Sequence, residues 1–207
     1  MTLTVGSLFT GVDGIGTGLE LAGWPVERAW FVENDPAPSK VLAHHWPTVP
    51  NLGDITAVDW DTQPDVDVVA SSWPCQGNSL AGKRRGRGDH WNLWPETARC
   101  LEAKRPEWFV GENVPGLLTV EDGQAFGEVL ADLDRLGYVT AWTTLGACKV
   151  GACHHRHRLF LLGRRTAGDA HRRAVGAGEP GPVRRTRNHR VARRRLAGRW
   201  EGVGTPR

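Results

Sequence analysis

A cysteine, a glutamate and a set of basic residues are the side chains here whose types and spacing could do chemistry. Cys75 follows Pro74 at the end of the apolar run "DVDVVASS" and stands among Ser71, Ser72, Gln76, Asn78 and Ser79. A buried structural cysteine keeps apolar company, and a zinc thiolate needs companions at short spacing. Cys75 has neither. A nucleophilic thiol instead needs donors and cations that lower its pKa, with an acid or base opposite it. Lys83, Arg84, Arg85 and Arg87 follow within the next dozen residues, and Glu112 ends another apolar run in "GENVPG". The most metal-like cluster, "CKVGACHHRHR", holds Cys148, Cys153, His154, His155 and His157. Its C-x4-C spacing runs directly into His-His and lacks the separated ligand pairs of a zinc site, so no metal is expected.

A second group of residues points to a ligand rather than a nucleophile. "FTGVDGIGTG" supplies Gly11, Gly14, Gly16 and Gly18 between a strand-like and a helix-like segment. Such glycines let the backbone approach a ligand, and the following helix N-terminus favours negative charge. The dinucleotide fingerprint is incomplete because Leu19 stands three residues after Gly16. A pyrophosphate cofactor, and with it NAD chemistry, is disfavoured. Glu33, 19 residues beyond Gly14, ends the next apolar run and could accept from two ribose hydroxyls. Asp54, expected to follow a further strand, could accept from an adenine amino group. A nucleoside-containing ligand without pyrophosphate fits all three positions, and S-adenosylmethionine is the commonest.

The elements that must position these residues alternate in type. "LTVGSLF", "RAWFVEN", "DVDVVASS", "EWFVGEN" and "RLFLLG" read as strands, and "TGLELAGW", "DPAPSKVLAHHW", "LWPETARCLEAK" and "GQAFGEVLADLDRLG" as helices. The pattern predicts a doubly wound α/β fold with a mostly parallel sheet. In such sheets ligands bind beyond the carboxyl ends of the strands, where Gly11, Glu33, Asp54, Cys75 and Glu112 all fall.

Length and charge set the remaining bounds. The 207 residues suffice for one domain with a full core. There is no apolar run of about 18 residues and no signal-peptide pattern, which predicts a cytoplasmic chain away from membranes. Four cysteines without framework spacing are expected to be reduced thiols. Charge is divided unevenly: residues 1–163 hold 13 Lys and Arg against 20 Asp and Glu, while 164–207 hold 13 against 3. A domain over 1–163 and a poorly ordered basic tail over 164–207 are expected.

The segments "FTGVDGIGTGLELAGW", "PCQGNS", "GENVPGL" and "HHRHRLFLLG" resemble, in order and near spacing, the motifs of DNA cytosine-5 methyltransferases. "AGKRRGRGDHWNLWPE" is similar to that family's active-site loop and the helix after it. The resemblance covers about residues 4 to 163. It implies a Rossmann-like, S-adenosylmethionine-dependent catalytic domain in which Cys75 adds to C6 of a cytosine flipped out of duplex DNA. Glu112 would contact N3 and the amino group of the base, and Asn113 would hold the loop geometry. Arg156 and Arg158 match a Gln-x-Arg-x-Arg motif that steadies the base and the cysteine loop. Phe9, Gly11 and Gly14 would surround the cofactor, Glu33 its ribose, and Asp54 with Ile55 its adenine. Lys83, Arg84, Arg85 and Arg87 would contact DNA phosphates.

The chain departs from that pattern at several positions. Asp13 stands where glycine is usual, Asn78 where an aromatic is usual, Cys153 where proline is usual, and His154 where glutamine is usual. A carboxylate at Asp13 would repel the cofactor's own carboxylate unless turned toward solvent or the cofactor's amino group. Family members continue into a target-recognition domain and a returning Gly-Asn motif, and residues 164–207 match neither. A separate recognition subunit would fill that role. Competing expectations are an RNA cytosine-5 methyltransferase and a non-catalytic remnant that binds nucleic acid or a partner through the basic tail.

Overall fold

In the computed structural model, residues 2–74 and 93–166 are described. Cys75, the basic run Lys83, Arg84, Arg85 and Arg87, and nearly all of the basic tail lie outside the described residues. Six strands, β1 (Leu3–Leu8), β2 (Val26–Val32), β3 (Val68–Ser71), β4 (Trp108–Asn113), β5 (Tyr138–Gly146) and β6 (His157–Arg165), form one sheet in the order β2-β1-β3-β4-β6-β5. Pairings from β2 through β4 are parallel, while β6 runs antiparallel to both β4 and β5. The fold is therefore α/β and doubly wound, with a mixed sheet whose parallel half carries the first three loops.

Four helices connect the strands: α1 (Gly14–Leu21), α2 (Pro36–His45), α3 (Trp94–Lys104) and α4 (Gln124–Arg135). Local chemistry fixes the start of α2. Asp35 caps α2 by accepting from Ala37 N, with Pro36 in the first turn, where its missing N–H costs nothing. On α4, Phe126, Val129 and Leu133 recur at helical spacing and are buried. The larger core lies on the α3 and α4 side and includes Trp30, Trp60, Trp73, Trp94, Phe109, Leu101, Leu133, Leu159 and Leu161. A smaller core under α1 joins Ile15 and Leu19 to Val5, Val68 and Ala70. Gly6 has a packing reason: a Cβ there would collide with the Trp30 indole.

Two features differ from the sequence reading. The strand expected before Asp54 is reduced to a single isolated bridge between Phe31 and Asn51, followed by 3-10 turns at Ile55–Ala57 and Trp60–Thr62. β5 has no counterpart among the expected strands. It fills the sheet edge beyond β6. Because β6 runs antiparallel, its first residues arrive at the rim where β4 ends: Asn113 pairs with Leu159, and Arg158 comes next.

Candidate active site

The sheet order reverses at β1, which has β2 on one side and β3 on the other. In doubly wound sheets that reversal opens a crevice beyond the strand ends. The loop leaving β1 is strained to fit it. Phe9 (φ 50), Gly11 (φ 56) and Asp13 (φ 59) all occupy the left-handed region, unusual for an aromatic residue. Thr10 secures the loop by donating its hydroxyl to the Ser7 and Val32 carbonyls, at 2.8 and 3.3 Å. A Cβ on Gly11 or Gly14 would meet nothing within 4 Å, so the backbone here borders open space.

Glu33, just past β2, accepts from Gly11 N at 2.7 Å through one oxygen and from Asp35 N at 2.8 Å through the other. The glycine loop and the expected ribose carboxylate are thereby joined. Asp54 is exposed and caps the first 3-10 turn, its Oδ1 accepting from Thr56 N and Oγ1, both at 2.9 Å. Those bonds hold its carboxyl below the usual carboxylate range. Ile55 beside it is buried.

Asp13 points neither to solvent nor into the crevice. Its carboxylate is 1% exposed and meets Arg28 Nε at 2.6 Å, and Arg28 also forms a two-pronged pair with Glu20 at 2.8 Å per prong. The guanidinium lies over the Trp46 ring, 4.3 Å from its centroid. Burial pushes the Asp13 carboxyl above its usual range, and Arg28 pulls it part of the way back. The left-handed backbone explains why glycine suits this position, and aspartate is among the few residues that tolerate it. The repulsion feared for a cofactor carboxylate is removed by turning the charge under α1.

The opposite rim is built from β3, β4 and β6. Glu112 Oε1 pairs with Arg158 Nε at 2.7 Å, with both side chains about a quarter exposed. Burial raises the Glu112 carboxyl above its usual range, while the charges of Arg158 and then Arg156 oppose the rise. Arg156 itself is exposed. Asn113 is buried and donates Nδ2 to the Trp73 carbonyl at 3.2 Å, and its Oδ1 accepts from Val114 N at 2.8 Å. Trp73 packs on Trp94 with ring centroids 5.0 Å apart. These two tryptophans lie on either side of residues 75–92, so both approaches to that segment are held together.

The geometry unites Gly11 with Glu33 and Glu112 with Arg158, and ties Asn113 to the stretch leading to Cys75. Arg28, Trp73 and Arg99 escaped the sequence reading. Arg28 could have been noticed as a charge inside the otherwise apolar "RAWFV", and Trp73 as an aromatic two residues before the candidate nucleophile. In the His and Cys cluster, Cys148 Sγ lies 3.6 Å from His155 Nδ1, and among the described residues no three potential metal ligands converge.

Comparison with known proteins adds a family. Residues 3–188 match the model of C-5 cytosine-specific DNA methylase, a span that ends inside the basic segment. The chain is similar to Type II methyltransferase M.NgoBV of Neisseria gonorrhoeae, 36% identical over an alignment of 168 residues, with 75% of this chain and 40% of that protein covered. It is also similar to Type II methyltransferase M2.BsuMI of Bacillus subtilis (strain 168), 36% identical over an alignment of 165 residues, with 77% and 41% of the two chains covered. It thus spans about two fifths of the length of these relatives. Among solved structures, a Spodoptera frugiperda DNMT2 mutant superposes with TM-score 0.66 at 20% identity, covering 79% of this chain and 50% of that one. A putative DNA modification methyltransferase encoded within an E. coli prophage gives 0.65 at 23%, covering 79% and 47%. At such identities these two structures speak to the fold.

Proposed function

The chain belongs to the C-5 cytosine-specific DNA methylase family, and from that premise we propose that it methylates C5 of cytosine in DNA through Cys75, using S-adenosylmethionine. The observation that carries the proposal is the antiparallel return of β6, which sets Arg158 on Glu112 at 2.7 Å beside the strand leading to Cys75. Glu112 and Arg158 stand near the end of β4 and the start of β6, and Gly11 and Glu33 just past the ends of β1 and β2 of the same sheet.

C5 of cytosine is a weak nucleophile. Addition of the Cys75 thiolate to C6 makes C5 enamine-like, with the electron pair moving toward N3. Glu112, its carboxyl raised by burial, is suited to meet N3 and the amino group as that charge develops. Arg158 fixes the Glu112 side chain, Arg156 adds positive charge nearby, and Asn113 holds the backbone entering the cysteine segment. Once C5 has used that electron pair to take a methyl group, loss of the C5 proton permits β-elimination and frees Cys75. C6 is inaccessible in a duplex, so the cytosine must be flipped out, and Lys83, Arg84, Arg85 and Arg87 are assigned to DNA phosphates.

The residues present fit S-adenosylmethionine, which when bound supplies an electrophilic methyl group. Gly11 and Gly14 border the open space beyond β1 with Phe9 in the same loop, Glu33 is assigned to the ribose, and Asp54 with Ile55 to the adenine. With Asp13 paired to Arg28, its carboxylate is withdrawn from this loop. No helix among the described residues is long and apolar enough to cross a membrane. The proposed setting is the cytoplasm, and the proposed partners are duplex DNA and a separate recognition subunit.

The test is nucleoside mass spectrometry on unmethylated DNA and, in parallel, tRNA, each incubated with S-adenosylmethionine and the chain or its Cys75→Ala variant. 5-Methylcytosine in DNA from the parent alone is the expected result. Product in tRNA alone would move the reading to RNA. A Cys75→Ala variant that kept its fold but lost cofactor binding would contradict the division of roles between the two rims.

A further inference from the structure

Residues 55–65 cross from the edge of the sheet toward β3 as two 3-10 turns. Carbonyls in such a stretch lack ladder partners: Ile55 and Trp60 each accept one backbone N–H within their own turn, at 3.3 and 3.2 Å, and the remaining bonds come from elsewhere. Helix α3 supplies them through two cations. Arg99 donates Nη2 to the Ile55 carbonyl at 2.6 Å and Nη1 to the Val58 carbonyl at 3.0 Å. Its Nε is held by Glu96 at 2.7 Å, and the guanidinium is 5.8 Å from the Trp60 ring centroid. Five residues further along, Lys104 donates to the Trp60 and Gln63 carbonyls at 2.9 and 2.7 Å and pairs with Asp65 at 2.9 Å.

The two cations hold the same crossover at different places. Lys104 grips its second turn. Arg99 grips the first, and Ile55, whose carbonyl takes the shorter bond, is the neighbour of Asp54. The Asp54 carboxylate is oriented by Thr56 of that same turn. Any shift of the turn therefore carries the carboxylate with it.

We infer that Arg99 is a positioning residue for adenine recognition, acting through the Ile55 and Val58 carbonyls to hold Asp54 where it accepts from the adenine amino group. The inference rests on the reading of Asp54 and Ile55 as the adenine contact. A planar fork that satisfies two carbonyls at once is a task for which lysine is a poor substitute.

The experiment compares binding of S-adenosylhomocysteine with S-inosylhomocysteine, whose purine bears an oxygen in place of the amino donor. The full chain should favour the adenine compound by about tenfold or more, because losing a hydrogen bond to a charged acceptor has about that effect. Arg99→Met should reduce the preference to roughly threefold or less, and Arg99→Lys should restore part of it. Lys104→Met is the internal control: it should lower the melting temperature yet leave the preference within about twofold.

An Arg99→Met protein that keeps the full preference overturns the inference. If that variant does not fold, Arg99→Lys with undiminished preference overturns it equally. A parent chain that binds both compounds alike removes the adenine role of Asp54 and this inference with it, while leaving the family assignment untouched. A parent that binds neither overturns the cofactor reading as well.

Discussion

The two rims of the crevice are built from contacts of different range. On the proposed cofactor side, Asp13 meets Arg28, Gly11 meets Glu33, and Asp54 meets Thr56, all within 22 residues in sequence. On the proposed base side, Glu112 meets Arg158 across 46 positions and Asn113 meets Trp73 across 40. The first rim comes from loops of adjacent parallel strands; the second exists only once β6 has returned antiparallel to β4. Accessibility differs as well. Both carboxyls stand between a burial that favours the neutral form and arginines that favour the charged form, but Asp13 is shut away under α1 whereas about a quarter of the Glu112 side chain is exposed. A reachable group held in that balance is suited to a change of charge during reaction.

The sharpest way to break the comparison is Glu112→Gln. Removing a group aimed at developing charge should lower kcat about 10²–10³-fold, with cofactor affinity changed by less than about threefold. The stability effect has the opposite sense. Glu112 has a folded pKa raised above the usual 4.5, so its contribution is fully present below that value and is lost as pH rises through the folded pKa. Melting temperature followed from about pH 4 to pH 7 should therefore show the glutamine variant gaining on the parent. A constant difference across that window would remove the raised carboxyl from the account.

On the cofactor side the comparable lesion is structural. Arg28 is 5% exposed and serves two carboxylates. Arg28→Met should cost about 2–3 kcal/mol in urea denaturation, because Asp13 is left buried without its cation. A smaller effect belongs to Asn113→Ala, which strips the Trp73 carbonyl of a buried donor. About 1–2 kcal/mol of stability and roughly tenfold in kcat should be lost, with S-adenosylmethionine affinity unchanged. If that variant lost cofactor affinity instead, the rims would not be separable.

Much of the parallel half was legible because its strands are short apolar runs that end in glycine or acidic residues. β1, β3, β4, α2, α3 and α4 fall within the segments read for them, while β2, β6 and α1 overlap theirs and begin one to three residues earlier. β5 was missed because, as an edge strand, it exposes Val139, Trp142 and Leu145 among threonines and never alternates cleanly; its Thr and Val content was the available signal. The strand expected before Asp54 in "NLGDIT" is a single bridge, with Asn51 the only residue of that stretch bridged to Phe31. At the candidate site, residue types single out Glu33 and Glu112. Their partners were harder to read: the Glu112–Arg158 pair depends on β6 running antiparallel, and no local pattern encodes that. Arg28 and Arg99 bind groups 15 and 44 positions away, beyond the reach of any spacing rule.

The smallest effect tests the cofactor rim most closely. Asp13→Gly places the residue best suited to left-handed backbone at φ 59, a gain of about 1 kcal/mol. Against it stands the lost ion pair, about 2 kcal/mol because Arg28 keeps Glu20 and the face of Trp46. The parent should therefore lose about 1 kcal/mol. In the Arg28→Met background the sign should reverse, because the substitution then removes a buried charge without a partner, and the two changes should be coupled by about 2 kcal/mol. Gly16 supplies a check on geometry, since a Cβ there would collide with the Asp13 carboxylate. Gly16→Ala should be damaging in the parent and tolerated after Asp13→Gly. Equal cost in both backgrounds would mean that the carboxylate does not lie under the first turn of α1, and that its withdrawal from the cofactor loop needs another explanation.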